Sequence, residues 1–116
     1  MTKTVDSPRC AWCRRPLPPP SGRGRPRQFC SRSHRQRAYE ARRRAESLNL
    51  PPGQVVVAQA ELQRLHDRLY RLEAAMEDVD ADLAGHATAQ AYRQAFEHLY
   101  EAAKDVAGVV IEPATE

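Results

Sequence analysis

At 116 residues the chain suits one domain or two small units. A hydrophobic fraction of 41% with only 6% aromatic residues argues against a large buried core, and units this small usually need a metal, a disulfide or a partner chain to hold them. The net charge of +3 conceals a division: residues 1–47 carry 13 basic groups against 3 acidic ones (+10), whereas residues 48–116 carry 5 against 12 (−7). A basic half joined to an acidic half implies a polyanion-binding head and a solvated, self-associating or partner-binding tail.

Three cysteines are an odd number, and no charged-then-apolar leader is visible at the start, so an oxidising compartment is not indicated. The longest apolar runs, at residues 55–58 and 109–111, are far too short to span a bilayer. The expected setting is cytoplasmic, and nucleoid-associated if the partner is DNA. In a reducing compartment a CxxC pair reads as metal binding.

In chain order, residues 1–8 form a lead-in without apolar periodicity. Cys10 and Cys13 then make a knuckle that aims two thiolates at one ion. Trp12 inside it either shields the metal on one side or packs on Leu17 or Phe29. Residues 14–28 hold five prolines and two glycines and cannot be helical. They contain Arg23, Gly24, Arg25, Pro26 and Arg27, a Gly-Arg-Pro core flanked by arginines that resembles the AT-hook. The resemblance implies insertion into a narrow A·T-rich minor groove. The alternatives are a basic loop touching phosphates or one that is simply solvated.

From Ser31 the pattern turns helical and runs to about Leu48. Ser31 or Ser33 can cap the start, with Gln36 three residues after Ser33 as a capping-box partner. Asn49 and Pro51 end the helix. His34, Ala38, Ala41, Ala45 and Leu48 recur at steps of 4, 3, 4 and 3, so the imidazole shares a face with the apolar stripe. Arg32, Arg35, Tyr39, Arg42 and Arg43 fall on the opposite side, flanked by Arg37 and Arg44.

Cys10, Cys13, Cys30 and His34 together form a Cys3His set, the closed ligand count of one structural Zn2+. Four protein ligands leave no position for water activation. The competing reading, buried thiols without a metal, leaves the spacing unexplained. His66, His86 and His98 have no partners at ligand spacing.

The CxxC pair, the Gly-Arg-Pro-Arg loop, Phe29-Cys30-Ser31 and a ligand four residues after Cys30 resemble the FCS-type treble-clef zinc fingers of short bacterial proteins. The resemblance spans roughly residues 10–44. It implies a treble clef whose third and fourth ligands, Cys30 and His34, open the helix, and nucleic acid as partner. Two departures stand out: the fourth ligand, usually cysteine, is His34, and Arg14 follows the knuckle where glycine is common.

Residues 49–57 read as a linker. Beyond it Leu62, Leu65, Leu69, Leu72, Met76, Val79 and Leu83 alternate steps of 3 and 4, a coiled-coil-type seam. Gly85 is the expected helix stop and Thr88 the expected cap of a second helix, where Tyr92, Phe96, Leu99, Ala103 and Val106 repeat the rhythm until Gly108. A connection of about three residues makes the two helices antiparallel. The seam packs within one chain, between two copies or against another protein. A lone hairpin buries little, so a homodimeric four-helix bundle is expected. The valine runs at 55–57 and 109–111 bracket the hairpin and could pair as a small ribbon.

The expected fold class is therefore α with a small zinc-bound treble-clef head: lead-in 1–8, finger 9–48, linker 49–57, helical hairpin 58–108 and tail 109–116. The expected function is that of a zinc-stabilised nucleic-acid-binding protein, a small dimeric DNA-binding regulator or chromosome-associated protein. Contacts are expected from Arg23, Arg25, Arg27, Arg32, Arg35, Gln36, Arg37, Tyr39, Arg42 and Arg43, with DNA favoured over RNA. The rival reading is an adapter bound to RNA polymerase or the ribosome through its hairpin. No Gly-rich phosphate loop, nucleophile elbow or paired catalytic carboxylate is visible, so neither catalysis nor a small-molecule substrate is expected.

Overall fold

A computed structural model describes residues 8–18, 22 and 24–116. Residues 1–7 of the expected lead-in at 1–8, and Arg23 of the AT-hook-like stretch, lie outside the described residues. Three helices follow in order: α1 (Arg32–Ser47), α2 (Gln59–Asp82) and α3 (Ala89–Ala107). Among the described residues there is no strand, and the nearest feature is an isolated antiparallel bridge between Arg9 and Pro16. No helix is long and apolar enough to cross a membrane. The chain divides into two compact units, one running up to Ala58 and including Val110–Glu116, the other spanning Gln59–Val109.

In the first unit, α1 is fixed at both ends by local chemistry. Ser31 is its N-cap, with a side-chain oxygen that accepts from the His34 N–H at 3.1 Å. The Ser33–Gln36 capping box does not form, because Ser31 already holds the cap and the Gln36 amide donates to Glu40 at 3.2 Å. At the far end the Leu50 N–H reaches the Ala45 carbonyl at 3.1 Å and the Asn49 N–H reaches Glu46 at 3.0 Å. With Asn49 at φ 58 this is a Schellman motif, and it stops the helix before Pro51.

The inner stripe of α1 faces the knuckle. Ala41 (2% exposed) joins Cys10, Trp12 and Cys13 in one buried cluster, against which Leu17, Phe29, Cys30 and Ala38 pack. Ala45 is also buried, but Leu48, the last member of the expected stripe, is exposed. Trp12 thus belongs to a core that holds the Cys10 and Cys13 thiols and the Leu17–Phe29 side. The chain after Val109 returns to this unit: the Ala114 N–H donates to the Val56 carbonyl at 2.7 Å, and Glu112 lies 3.9 Å from Arg37.

In the second unit, α2 and α3 pack on each other through small residues, with Ala75 and Ala95 buried. Alanine permits close approach of the two backbones. Thr88 caps α3 by accepting from the Ala91 N–H at 3.0 Å, and Gly85 lies in the connection with φ 83. That connection covers residues 83–88, longer than the three residues expected, because α2 already ends at Asp82. The apolar seam divides. Leu65, Leu72, Val79, Leu83 and Leu99 are half-buried, whereas Leu62, Leu69, Met76, Tyr92 and Phe96 remain exposed. Phe96 and Tyr100 stack with centroids 5.6 Å apart on that open side.

Candidate metal centre and its basic surface

The first unit gathers its donor atoms from two elements. The knuckle is closed by backbone bonds, with the Cys10 N–H donating to the Arg15 carbonyl at 2.8 Å and the Arg14 N–H to the Cys10 carbonyl at 2.9 Å. A further bond from the Ala11 N–H to the Gln28 carbonyl, 2.9 Å, draws the stretch before Cys30 against the knuckle. The Ser31 cap then sets the backbone of His34. One ligand atom from each of Cys10, Cys13, Cys30 and His34 lies within 4.8 Å of all the others, and no second such group occurs among the described residues.

These separations can be tested against a tetrahedron. With Zn–S near 2.3 Å and Zn–N near 2.0–2.1 Å, its edges are roughly 3.8 Å between sulfurs and roughly 3.6 Å between sulfur and nitrogen. Cys13 Sγ and Cys30 Sγ are 3.7 Å apart, and His34 Nδ1 stands 3.8 Å from Cys10 Sγ and 3.1 Å from Cys30 Sγ. The Cys3His set therefore fits one metal ion and is compatible with zinc. A disulfide needs sulfurs about 2.05 Å apart, and all three cysteines are free thiols.

Electrostatics favour a thiolate at Cys10. Burial alone would raise its pKa, but backbone N–H groups of Cys13, Cys30 and Trp12, together with His34, outweigh burial and bring it from 9.0 to about 6. The Trp12 N–H reaches Cys10 Sγ at 3.4 Å. Burial, then the neighbouring Cys13 and Cys10 sulfurs, pushes the Cys30 thiol up. Two neighbouring sulfurs resist sharing two negative charges, and a cation between them removes that conflict. Four protein ligands around one ion would leave no open coordination position.

The predicted contact residues separate into groups. Arg25, Arg27, Arg32 and Arg35 surround one cleft, which Gln28 and Phe29 also line. Tyr39 and Arg43 form a pair, with the guanidinium 5.9 Å over the ring and a donated bond to the phenol oxygen at 3.3 Å. Gln36 is tied to Glu40 and Arg37 lies near Glu112, while Arg42 is exposed. Arg44 is half-buried, its Nε without a hydrogen-bond partner among the described residues. The cleft and the return of residues 112–116 to α1 have no signature in the sequence, since both depend on segments distant along the chain.

Among the remaining histidines, His98 Nε2 lies 3.0 Å from an Asp78 carboxylate oxygen, an exposed contact between α3 and α2. No family model, curated protein or solved structure matches this chain.

Proposed function

We propose that the protein is a zinc-stabilised nucleic-acid-binding protein, with a treble-clef head and an antiparallel helical hairpin that pairs two copies. The observation that carries this reading is the division of α1 into two faces. Ala41, Ala45 and the ligand His34 look toward the metal cluster, and Arg32, Arg35, Arg42 and Arg43 stand exposed away from it. Like charges at helical spacing oppose one another in the free protein, and a polyphosphate backbone relieves that repulsion. One metal holding the knuckle to the helix thus sets where the arginines point. DNA is favoured over RNA because a rigid helix with an exposed basic ridge suits a groove.

The hairpin reading rests on α2 and α3 packing together across a connection of residues 83–88, too short to return the chain for a parallel pairing. Its exposed apolar side gives it something to bury, and a second copy brings two basic heads to one duplex. The same apolar side supports the second reading, an adapter that docks on a larger nucleic-acid machine.

The test is a binding titration of zinc-loaded protein against a duplex and a single strand at two salt concentrations, repeated after chelation. Binding that falls steeply with salt and is lost with zinc supports the proposal. Undiminished binding by zinc-free protein overturns it.

A further inference from the structure

The basic residues of the head do not form a uniform surface. Arg25 and Arg27 from the loop, and Arg32 and Arg35 from the first two turns of α1, converge on a cleft of about 600 Å³. That volume lies within the range of cavities that hold small-molecule-sized groups. No carboxylate is among the described residues that line it, and none of the four arginines has an ion-pair partner among the described residues. Arg37 and Arg43, by contrast, have Glu112 and Tyr39 beside them. Four unneutralised guanidinium groups around one concavity repel each other until an anion enters, and their planar forks match phosphate oxygens.

Two further residues give the cleft a character that phosphate alone does not need. Phe29, half-buried and packed against the buried cysteine cluster, is also one of the described lining residues and the one aromatic among them. Gln28, exposed and also in the lining, has a side-chain amide of the type that can both donate to and accept from a base edge. The Gln28 carbonyl is held by the Ala11 N–H at 2.9 Å, so the knuckle fixes this stretch from behind. The positive end of α1, starting at Arg32, adds to the same field.

We infer that this cleft seats one unpaired nucleotide of a nucleic-acid strand, its phosphate among Arg25, Arg27, Arg32 and Arg35 and its base against Phe29. The inference rests on the nucleic-acid-binding reading and assigns that reading a specific seat, separate from the Arg42–Arg43 end of α1. A ring platform beside a basic groove is the arrangement by which single strands are held. Stacking requires an exposed base face, so a single strand or an unpaired end enters the cleft and an intact duplex does not. The Arg42–Arg43 end touches phosphates whether or not bases are paired.

The experiment uses zinc-loaded full-length protein and four probes: a 12-nucleotide thymidine strand, a uridine strand of the same length, an abasic strand of the same length and a blunt duplex. Fluorescence anisotropy gives the affinity, and the emission of Trp12 reports whether the head is folded. Wild type should bind the thymidine or uridine strand about tenfold more tightly than the abasic strand. The two base-carrying strands separate DNA from RNA as the source of the nucleotide. Arg25→Ala with Arg27→Ala, at exposed positions, should weaken the base-carrying and abasic strands alike and by more than the duplex, while Phe29→Leu should abolish the base preference and keep apolar packing. Arg42→Ala with Arg43→Ala should weaken all four probes alike. Equal binding of abasic and base-carrying strands by wild type overturns the nucleotide seat while leaving the broader reading in place. So does a preference that survives Phe29→Leu. Absence of salt-sensitive binding to every probe overturns both.

Discussion

Arg14 occupies a backbone conformation that its side chain disfavours, and replacing it should strengthen the metal head. Its φ is 66, in the left-handed region, directly after the second knuckle cysteine. There the Cβ of an L-residue approaches its own carbonyl, at a cost of roughly 1–2 kcal/mol. Glycine avoids that clash but loses more freedom on folding, which offsets roughly 0.5–1 kcal/mol of the gain. The interactions Arg14 makes here are backbone ones. Its N–H donates to Cys10 at 2.9 Å and its carbonyl accepts from the Arg9 guanidinium at 3.2 Å, and glycine keeps both. Arg14→Gly should therefore stabilise the folded head by about 0.5–1 kcal/mol. Because the metal site forms only as the head folds, this gain should appear as zinc affinity tighter by roughly two- to fivefold. Chelator competition followed by Trp12 emission measures it, with Arg14→Ala as a control that should lie near wild type. If Arg14→Gly loses zinc more readily than wild type, or matches Arg14→Ala, the strain argument is wrong.

Other consequences concern pH and the second unit. Cys10, at about 6 rather than 9.0 in the folded head, contributes stability that is complete above pH 9 and is lost as pH falls through 6. Zinc affinity should accordingly weaken on acidification as protons compete for the thiolates; affinity that rises on acidification would contradict this sign. Ala95 is only 6% exposed where α3 meets α2, so Ala95→Leu should overpack the contact and cost about 1–3 kcal/mol in urea unfolding. Phe96, 64% exposed beside Tyr92 and Tyr100, sits on the side proposed to meet a second copy. Phe96→Glu should convert a species of twice 13.1 kDa to one of 13.1 kDa in light scattering; a wild-type monomer at high concentration would remove the pairing from the proposal.

The metal set was legible because its ligands come in two short-range pairs. Cys10 with Cys13, and Cys30 with His34, each have a spacing that a single turn converts into convergence. The helix caps at Ser31 and Thr88 and the end at Asn49 were readable for the same reason. The seam was less so. Steps of 3 and 4 mark a stripe but not which half packs inside the chain, and the buried residues of the two helices, Ala75 and Ala95, fall outside the expected seam. The cleft stayed hidden because it needs residues 25–29 brought against the start of α1 by the bond between Ala11 and Gln28, a long-range pairing without periodicity. The Arg37–Glu112 contact spans the whole second unit in sequence, and nothing local announces it. The positive φ of Arg14 was equally hidden, since the sequence puts an arginine where the backbone conformation favours glycine.

Whether Cys10, Cys13, Cys30 and His34 share one ion can be read from X-ray absorption at the zinc edge, on protein whose metal content has been determined. One zinc per chain with three sulfurs near 2.3 Å and one nitrogen near 2.0–2.1 Å is the expected result. A shell with fewer sulfurs and added oxygen, or a folded head that takes up no zinc, would contradict the account.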